Sequence, residues 1–135
     1  MKILVIDGQG GRIGKTIIER LAAAKVEGEL IAVGTNSIAT AAMMKAGASE
    51  GATGENPVVV LSCEADVIVG PVGIVAANSL LGEITPRMAL AVSESRAQKI
   101  LVPINKCKIT VVGTKEFTIN EYIEQAVEMI KQMTK

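Results

Sequence analysis

The most informative stretch of this chain for chemistry is Asp7-Gly8-Gln9-Gly10-Gly11-Arg12-Ile13-Gly14-Lys15-Thr16. Four of the seven positions from Gly8 to Gly14 are glycine, each costing about 0.5–1 kcal/mol of backbone entropy against alanine in regular structure. Against a total stability of about 5–15 kcal/mol, that concentration asks for a reason. Glycine permits positive φ in a turn and lets an anion approach the backbone. The first N–H groups of a following helix, and its dipole, then hold a phosphate. The chemistry on offer is binding of a phosphate-bearing nucleotide by Gly8, Gln9, Gly10, Gly11, Arg12, Ile13 and Gly14.

Spacing narrows the ligand. The common dinucleotide pattern GxGxxG requires glycine at position 13, where Ile13 stands. Read as GxxGxxG, Gly8, Gly11 and Gly14 fall into register. In that register the segment resembles the nucleotide loop of the dihydrodipicolinate reductases, GxxGxMG, with Ile13 in place of Met. The resemblance covers the first strand, the loop and the next helix. It implies NADH or NADPH as ligand, pyrophosphate contacts from Gly11, Arg12 and Ile13, and close packing at Gly14. On that reading Gly11→Val blocks the pyrophosphate and leaves the fold largely intact. Those reductases also use a second domain with a His-rich motif, and this chain has no histidine, so the resemblance stops at binding. The rival is a P-loop, since Gly14-Lys15-Thr16 supplies its ending. A Walker A loop needs glycine where Gln9 stands and a carboxylate after an apolar strand for Mg²⁺. Val67-Ile68-Val69 instead runs into Gly70-Pro71, with Asp66 at the wrong end. Other phosphate ligands, or a purely structural turn, stay open.

Further candidates come from places where apolar runs stop. In open α/β sheets ligands bind beyond the carboxyl ends of the strands. Gly34-Thr35-Asn36, Thr53-Gly54-Glu55-Asn56, Gly70-Pro71-Val72-Gly73 and Asn105-Lys106 all fall there; any one alone reads as turn chemistry. An NAD site usually carries Asp or Glu after the second strand, and Gly34-Thr35-Asn36 is neutral, which leaves NADPH open. Thr35 and Asn36 could hold a 2′-phosphate at a second helix N-terminus. Gly70, Pro71 and Gly73 would lie near a nicotinamide ring. Asn78, Ser79, Glu83 and Arg87 could reach the crevice, although solvated surface is the expected fate of each. Tyr122 has no lysine four residues on and falls on an apolar stripe, so it reads as core. No complete catalytic constellation emerges.

The elements that must position these residues follow from periodicity. Ile3–Ile6 is a continuous apolar run, as expected of a parallel strand covered on both faces. Ile13, Ile17, Leu21 and Ala24 share one face of the next helix. Leu30–Val33 reads as strand two, followed by a helix capped by Asn36 or Ser37 and stopped at Gly47. A short third strand falls near Ala48–Thr53. Residues 57–65 read as a helix opened by Asn56-Pro57, although Val58–Leu61 is β-branched enough for a strand. Val67–Val69 is the next strand, Ile74–Leu81 an apolar helix, and Thr85-Pro86 opens another that ends near Ser93. Ile100–Ile104 and Ile109–Val112 read as strands too close in sequence for a parallel crossover, so the last is antiparallel and at the edge. The closing helix opens with the capping box Thr118-x-x-Glu121 and buries Tyr122, Ile123, Ala126, Val127, Ile130 and Met133. The pattern is α/β: a Rossmann-like, doubly wound, mostly parallel sheet with an antiparallel edge strand near the C-terminus.

Composition sets the outer bounds. The 135 residues fit one nucleotide-binding domain, 1–135. Lys+Arg and Asp+Glu balance at 14 each, with one Tyr, one Phe and no Trp, which argues against a nucleic-acid partner. Cys63 and Cys107 lack metal or redox spacing and read as buried free thiols. An acid at Asp7 comes too early for a signal peptide, and no apolar run reaches the roughly 18 residues of a membrane span; a cytoplasmic protein is expected. A mean hydropathy of +0.40 with 49% apolar residues points to a homo-oligomer, expected as a homodimer using Ile74–Leu81 and Met88–Val92. Beyond the loop, Gly34-Thr35-Asn36, Gly51–Asn56, Gly70–Gly73 and Gly82–Pro86 resemble a short bacterial family to which no activity is attached. Two functions remain: a non-catalytic NAD(P)-binding or sensing module, and a small NAD(P)-dependent oxidoreductase completed across subunits.

Overall fold

A computed structural model describes residues 1–104, 108–114 and 116–134. In chain order the elements are β1 (Lys2–Asp7), α1 (Arg12–Ala23), β2 (Glu29–Gly34), α2 (Ser37–Ala46), β3 (Glu50–Thr53), α3 (Glu55–Ser62), β4 (Val67–Pro71), a 3₁₀ turn (Val72–Val75), α4 (Pro86–Glu94), β5 (Gln98–Val102) and α5 (Ile119–Met133). The five strands form one sheet in the order β3-β2-β1-β4-β5, and every pairing is parallel. The order reverses between β1 and β4, both central, which places a crevice beyond their carboxyl ends.

Alternation along β1 fixes which helices cover which face. Ile3 and Val5 pack with Ile17, Ile18 and Leu21 of α1, Met43 of α2 and Ile123 and Ile130 of α5. Leu4 and Ile6 face the other way, onto Val58 of α3 and Met88 and Val92 of α4. A one-residue slip of β1 would exchange these two sets, so two buried faces hold the register firmly. Each fully buried Ile or Leu contributes about 1.5–3 kcal/mol, which is ample to seat Asp7 at the tip of β1.

Helix starts follow their caps. The Asn36 side chain accepts from the Ala39 N–H at 2.9 Å and opens α2, while Gly47 at φ 125 closes it. Thr85 caps α4, and Thr118 with Glu121 forms the capping box of α5. α3 begins at Glu55, two residues before Pro57, because Gly54 at φ 102 makes the turn.

Several expectations are corrected. Ile74–Leu81 is no helix: after Val75 the chain turns, with Asn78, Leu80 and Leu81 left-handed at φ 67, 56 and 57. Its apolar residues Ile74 and Leu80 are buried as loop side chains, which composition cannot distinguish from a helix face. The antiparallel edge strand at Ile109–Val112 is not formed; Val111 and Val112 are exposed and pair with no strand. β5 begins at Gln98 and stops before Pro103, which has no N–H for a ladder. Asn105, Lys106 and Cys107 lie outside the described residues. Cys63 is exposed, and Met133 stands 39% exposed at the end of α5, where the apolar stripe runs past the sheet. Tyr122 is half-buried, its hydroxyl donating to the Thr114 carbonyl and its ring meeting Phe117 edge-on.

Candidate functional site

β1 ends at Asp7 and α1 begins at Arg12, so Gly8–Gly11 turn the chain between them. Gly11 is the helix N-cap at φ 73, ψ 17, a left-handed conformation that glycine enters without a Cβ penalty. A Cβ there would also stand 2.8 Å from the Ala39 Cα, so α2 packs on bare backbone. Gly11→Val therefore damages α1–α2 packing as well as the turn, and the expectation of an intact fold is corrected. A Cβ at Gly8 would lie 2.6 Å from Thr35 Oγ1, and one at Gly14 2.9 Å from the Asp7 Cβ. Gly10 differs: it is exposed, takes no positive φ, and a Cβ there meets nothing nearer than Arg12 Cγ at 3.9 Å. Three of the four glycines serve the protein's own packing. Gly10 alone leaves open space in front of the backbone.

Two carboxylates answer much of the loop's N–H potential. Asp7, buried at the end of β1, accepts from Gly8 N–H at 2.8 Å and Gly14 N–H at 2.7 Å. Burial pushes its carboxyl above the ordinary range, against the pull of the Gly14, Gly8 and Ile13 N–H groups, and the Glu83 charge adds to the rise. Glu83 reaches in from the segment before α4. Its Oε1 accepts from Gln9 N–H at 2.8 Å, from Asn36 Nδ2 at 2.9 Å and from the Thr35 hydroxyl. Burial raises the Glu83 carboxyl too, but those three donors outweigh it and hold the group below its ordinary value. Among the described residues, the N–H groups of Gly10 and Arg12 find no protein acceptor.

Gly10 and Arg12 both line a cleft of about 610 Å³. It is lined by the loop from Asp7 to Ile13, by Thr16 and Leu80, and on its far wall by Ile104, Ile123 and the first turn of α5 at Thr118–Asn120. Its floor is thus the N-terminus of α1, with a second helix N-terminus opposite, and both present positive dipole ends to one space.

The candidate residues divide between the two sides of β1. Gly8, Gln9, Gly10, Gly11, Arg12 and Ile13 line the cleft; Gly14 is buried beneath it. Gly34 is buried, and Thr35 and Asn36 sit on the β2 side, tied to Glu83 and, through Asn36, to the Gln9 carbonyl at 2.9 Å. Gly70, Pro71 and Gly73 are buried and do not line the cleft; a side chain at Gly70 would strike the Ile6 carbonyl. Lys15 is exposed and pairs with Glu19 at 3.9 Å, while the Thr16 hydroxyl donates to the Arg12 carbonyl. Neither is arranged as the ending of a P-loop, and Asp66 accepts from Lys2 N–H at the opposite end of β4. Ser79 donates to the Gly73 carbonyl, Asn78 is exposed, and Arg87 lies 4.0 Å from Glu55. Sequence reasoning missed Asp7 and left Glu83 to solvent. An acid ending a fully apolar strand was a usable signal for Asp7. Nothing local could have found Glu83, which meets Gln9 across 74 residues. Among the described residues no group of three His, Cys, Asp or Glu side chains could hold a metal, and no helix is long and apolar enough to cross a membrane.

A parallel β3-β2-β1-β4-β5 sheet with helices on both faces makes this a Rossmann-like α/β protein. The chain belongs to the DUF3842 family, described as a domain of unknown function, whose profile matches residues 2–135. In three dimensions it is similar to a dodecameric FMN-dependent Ubix-like decarboxylase from Escherichia coli O157:H7, with a TM-score of 0.50 and 18% identity over 96% of this chain and 76% of that one. That likeness is one of fold. No curated protein matches the sequence.

Proposed function

We propose that residues 1–135 act as one nucleotide-binding unit that holds a phosphate-bearing cofactor in the cleft at Gly8–Ile13, with a nicotinamide dinucleotide as the ligand. The observation that carries this reading is that Gly10 and Arg12, whose N–H groups find no acceptor among the described residues, both line the cleft at the N-terminus of α1. The pyrophosphate sits against Gly10, Gly11, Arg12 and Ile13, and the Arg12 side chain, exposed at the rim, adds a cation. The role is binding or sensing. Among the described lining residues the titratable ones are Asp7, committed to the loop's own amides, and Arg12. An oxidoreductase completed across subunits has less support, because Glu83 turns towards Thr35 and Asn36, and Arg87 towards Glu55.

A second reading is a flavin mononucleotide. The neighbouring fold belongs to an FMN-dependent enzyme, and the cleft opens towards α5, away from Thr35 and Asn36. The test is an amide-resolved NMR titration with NADH, FMN and Mg-ATP in turn. The dinucleotide reading expects the Gly10 and Arg12 amides to shift with NADH. A response to FMN alone transfers the site to the flavin, and a response to Mg-ATP alone to P-loop chemistry.

A further inference from the structure

Dinucleotide sites of this fold usually place a carboxylate after β2, where it bonds the adenine ribose and turns away a 2′-phosphate. Here that turn is Gly34-Thr35-Asn36 and carries no acid. The fold supplies one in space. Glu83 Oε1 is gripped by the Gln9 N–H, Asn36 Nδ2 and the Thr35 hydroxyl, donors from the turns after β1 and β2. Its second oxygen makes no hydrogen bond to the described residues, and Glu83 stands on the β2 side of the loop, outside the lining of the cleft, where a dinucleotide whose pyrophosphate lies at Gly10 and Arg12 would extend its adenosine. Building on the dinucleotide reading above, we infer that Glu83 selects the sugar: its free oxygen accepts the 2′-hydroxyl of the adenosine ribose, and its charge excludes a 2′-phosphate. The ligand class is then NAD and not NADP.

The surrounding backbone is built for this delivery. Asn78, Leu80 and Leu81 hold left-handed φ of 67, 56 and 57, an unfavourable conformation for side chains with a Cβ, and for leucine above all. Such residues persist where neighbouring structure over-determines them, and they gather at ligand clamps. Here the Asn78 N–H to Ile84 carbonyl bond, at 2.7 Å, closes the turn, and buried Leu80 and Ile84 pin it on either side of Glu83. Gly8 completes the seat, since a Cβ there would stand 3.0 Å from Glu83 Oε1. The hydrogen bonds from Thr35, Gln9 and Asn36 fix the carboxylate in place and leave its second oxygen as the free acceptor.

The experiment measures affinity for NADH, NADPH and the 2′-deoxyadenosine analogue of NADH, by calorimetry, with wild type and Glu83→Gln. Wild type is expected to bind NADH at least about tenfold more tightly than NADPH, as close like charges at a surface site imply, and to lose affinity for the deoxy analogue. In Glu83→Gln the NADH/NADPH ratio falls towards one, chiefly through a gain for NADPH. The deoxy analogue needs no variant, so the selection is read even if Glu83→Gln folds poorly. Equal binding of NADH and NADPH by wild type overturns the inference and leaves the dinucleotide reading standing. A Glu83→Gln protein that gains both nucleotides equally also overturns it, since the carboxylate then merely repels. Failure of all three to bind wild type overturns both.

Discussion

The residues with most control over the loop are its two acids, and their titrations run in opposite directions. Glu83 is held below its ordinary value, so its contribution to stability is present above that value and is lost as pH falls through the lower, folded one. Asp7 is raised, so the stability tied to its neutral form is present at low pH and is lost as pH rises through its folded value. We expect the gap in Tm between wild type and Glu83→Gln to shrink on acidification. For Asp7→Asn, the stability of the variant relative to wild type should rise with pH through the Asp7 titration. Thermal melts at a series of pH values check both slopes; a pH-independent gap in either series contradicts the assignment. The two residues also show how unevenly a site is legible. The glycines announced themselves by number and spacing, yet of the four only Gly10 has room for a Cβ, because Gly8, Gly11 and Gly14 answer to neighbours distant in sequence.

At the scale of elements, what was legible was local. Apolar runs flanked by turns gave β1, β2 and β4, and side-chain caps gave the starts of α2, α4 and α5. What failed was non-local. Ile74 and Leu80 fill a core beside a left-handed turn, and 109–112 has strand-like residues but no partner strand among the described residues. The turn itself offers a test. Leu81 is 95% exposed at φ 57, so its side chain contributes little packing and its backbone is strained. Leu81→Asn, which tolerates that φ, should raise stability by about 0.5–1 kcal/mol in urea unfolding. A loss of stability would mean that the leucine is held by contacts beyond this chain.

For the whole molecule, burial revises the case for assembly without removing it. Ile74, Met88, Ala89 and Val92 fill the core, so those two segments are less surplus than their composition implied. Leu81 and Val112, each 95% exposed, with Ile38 at 70%, keep apolar surface in solvent. A homodimer is the proposed state, and light scattering at micromolar concentration should give twice the 14.1 kDa chain mass; the mass of one chain would contradict it. The central claim concerns the cleft, and one variant isolates it. A Cβ at exposed Gly10 meets nothing nearer than Arg12 Cγ at 3.9 Å, so a side chain there is expected to crowd the cleft while sparing the fold. Calorimetric titration of NADH into wild type and Gly10→Val, with melting temperatures alongside, tests it most directly. Wild type is expected to bind saturably, and Gly10→Val at least about tenfold more weakly with closely similar melting. Equal affinities in two equally stable proteins would place the nucleotide outside the Gly8–Ile13 cleft.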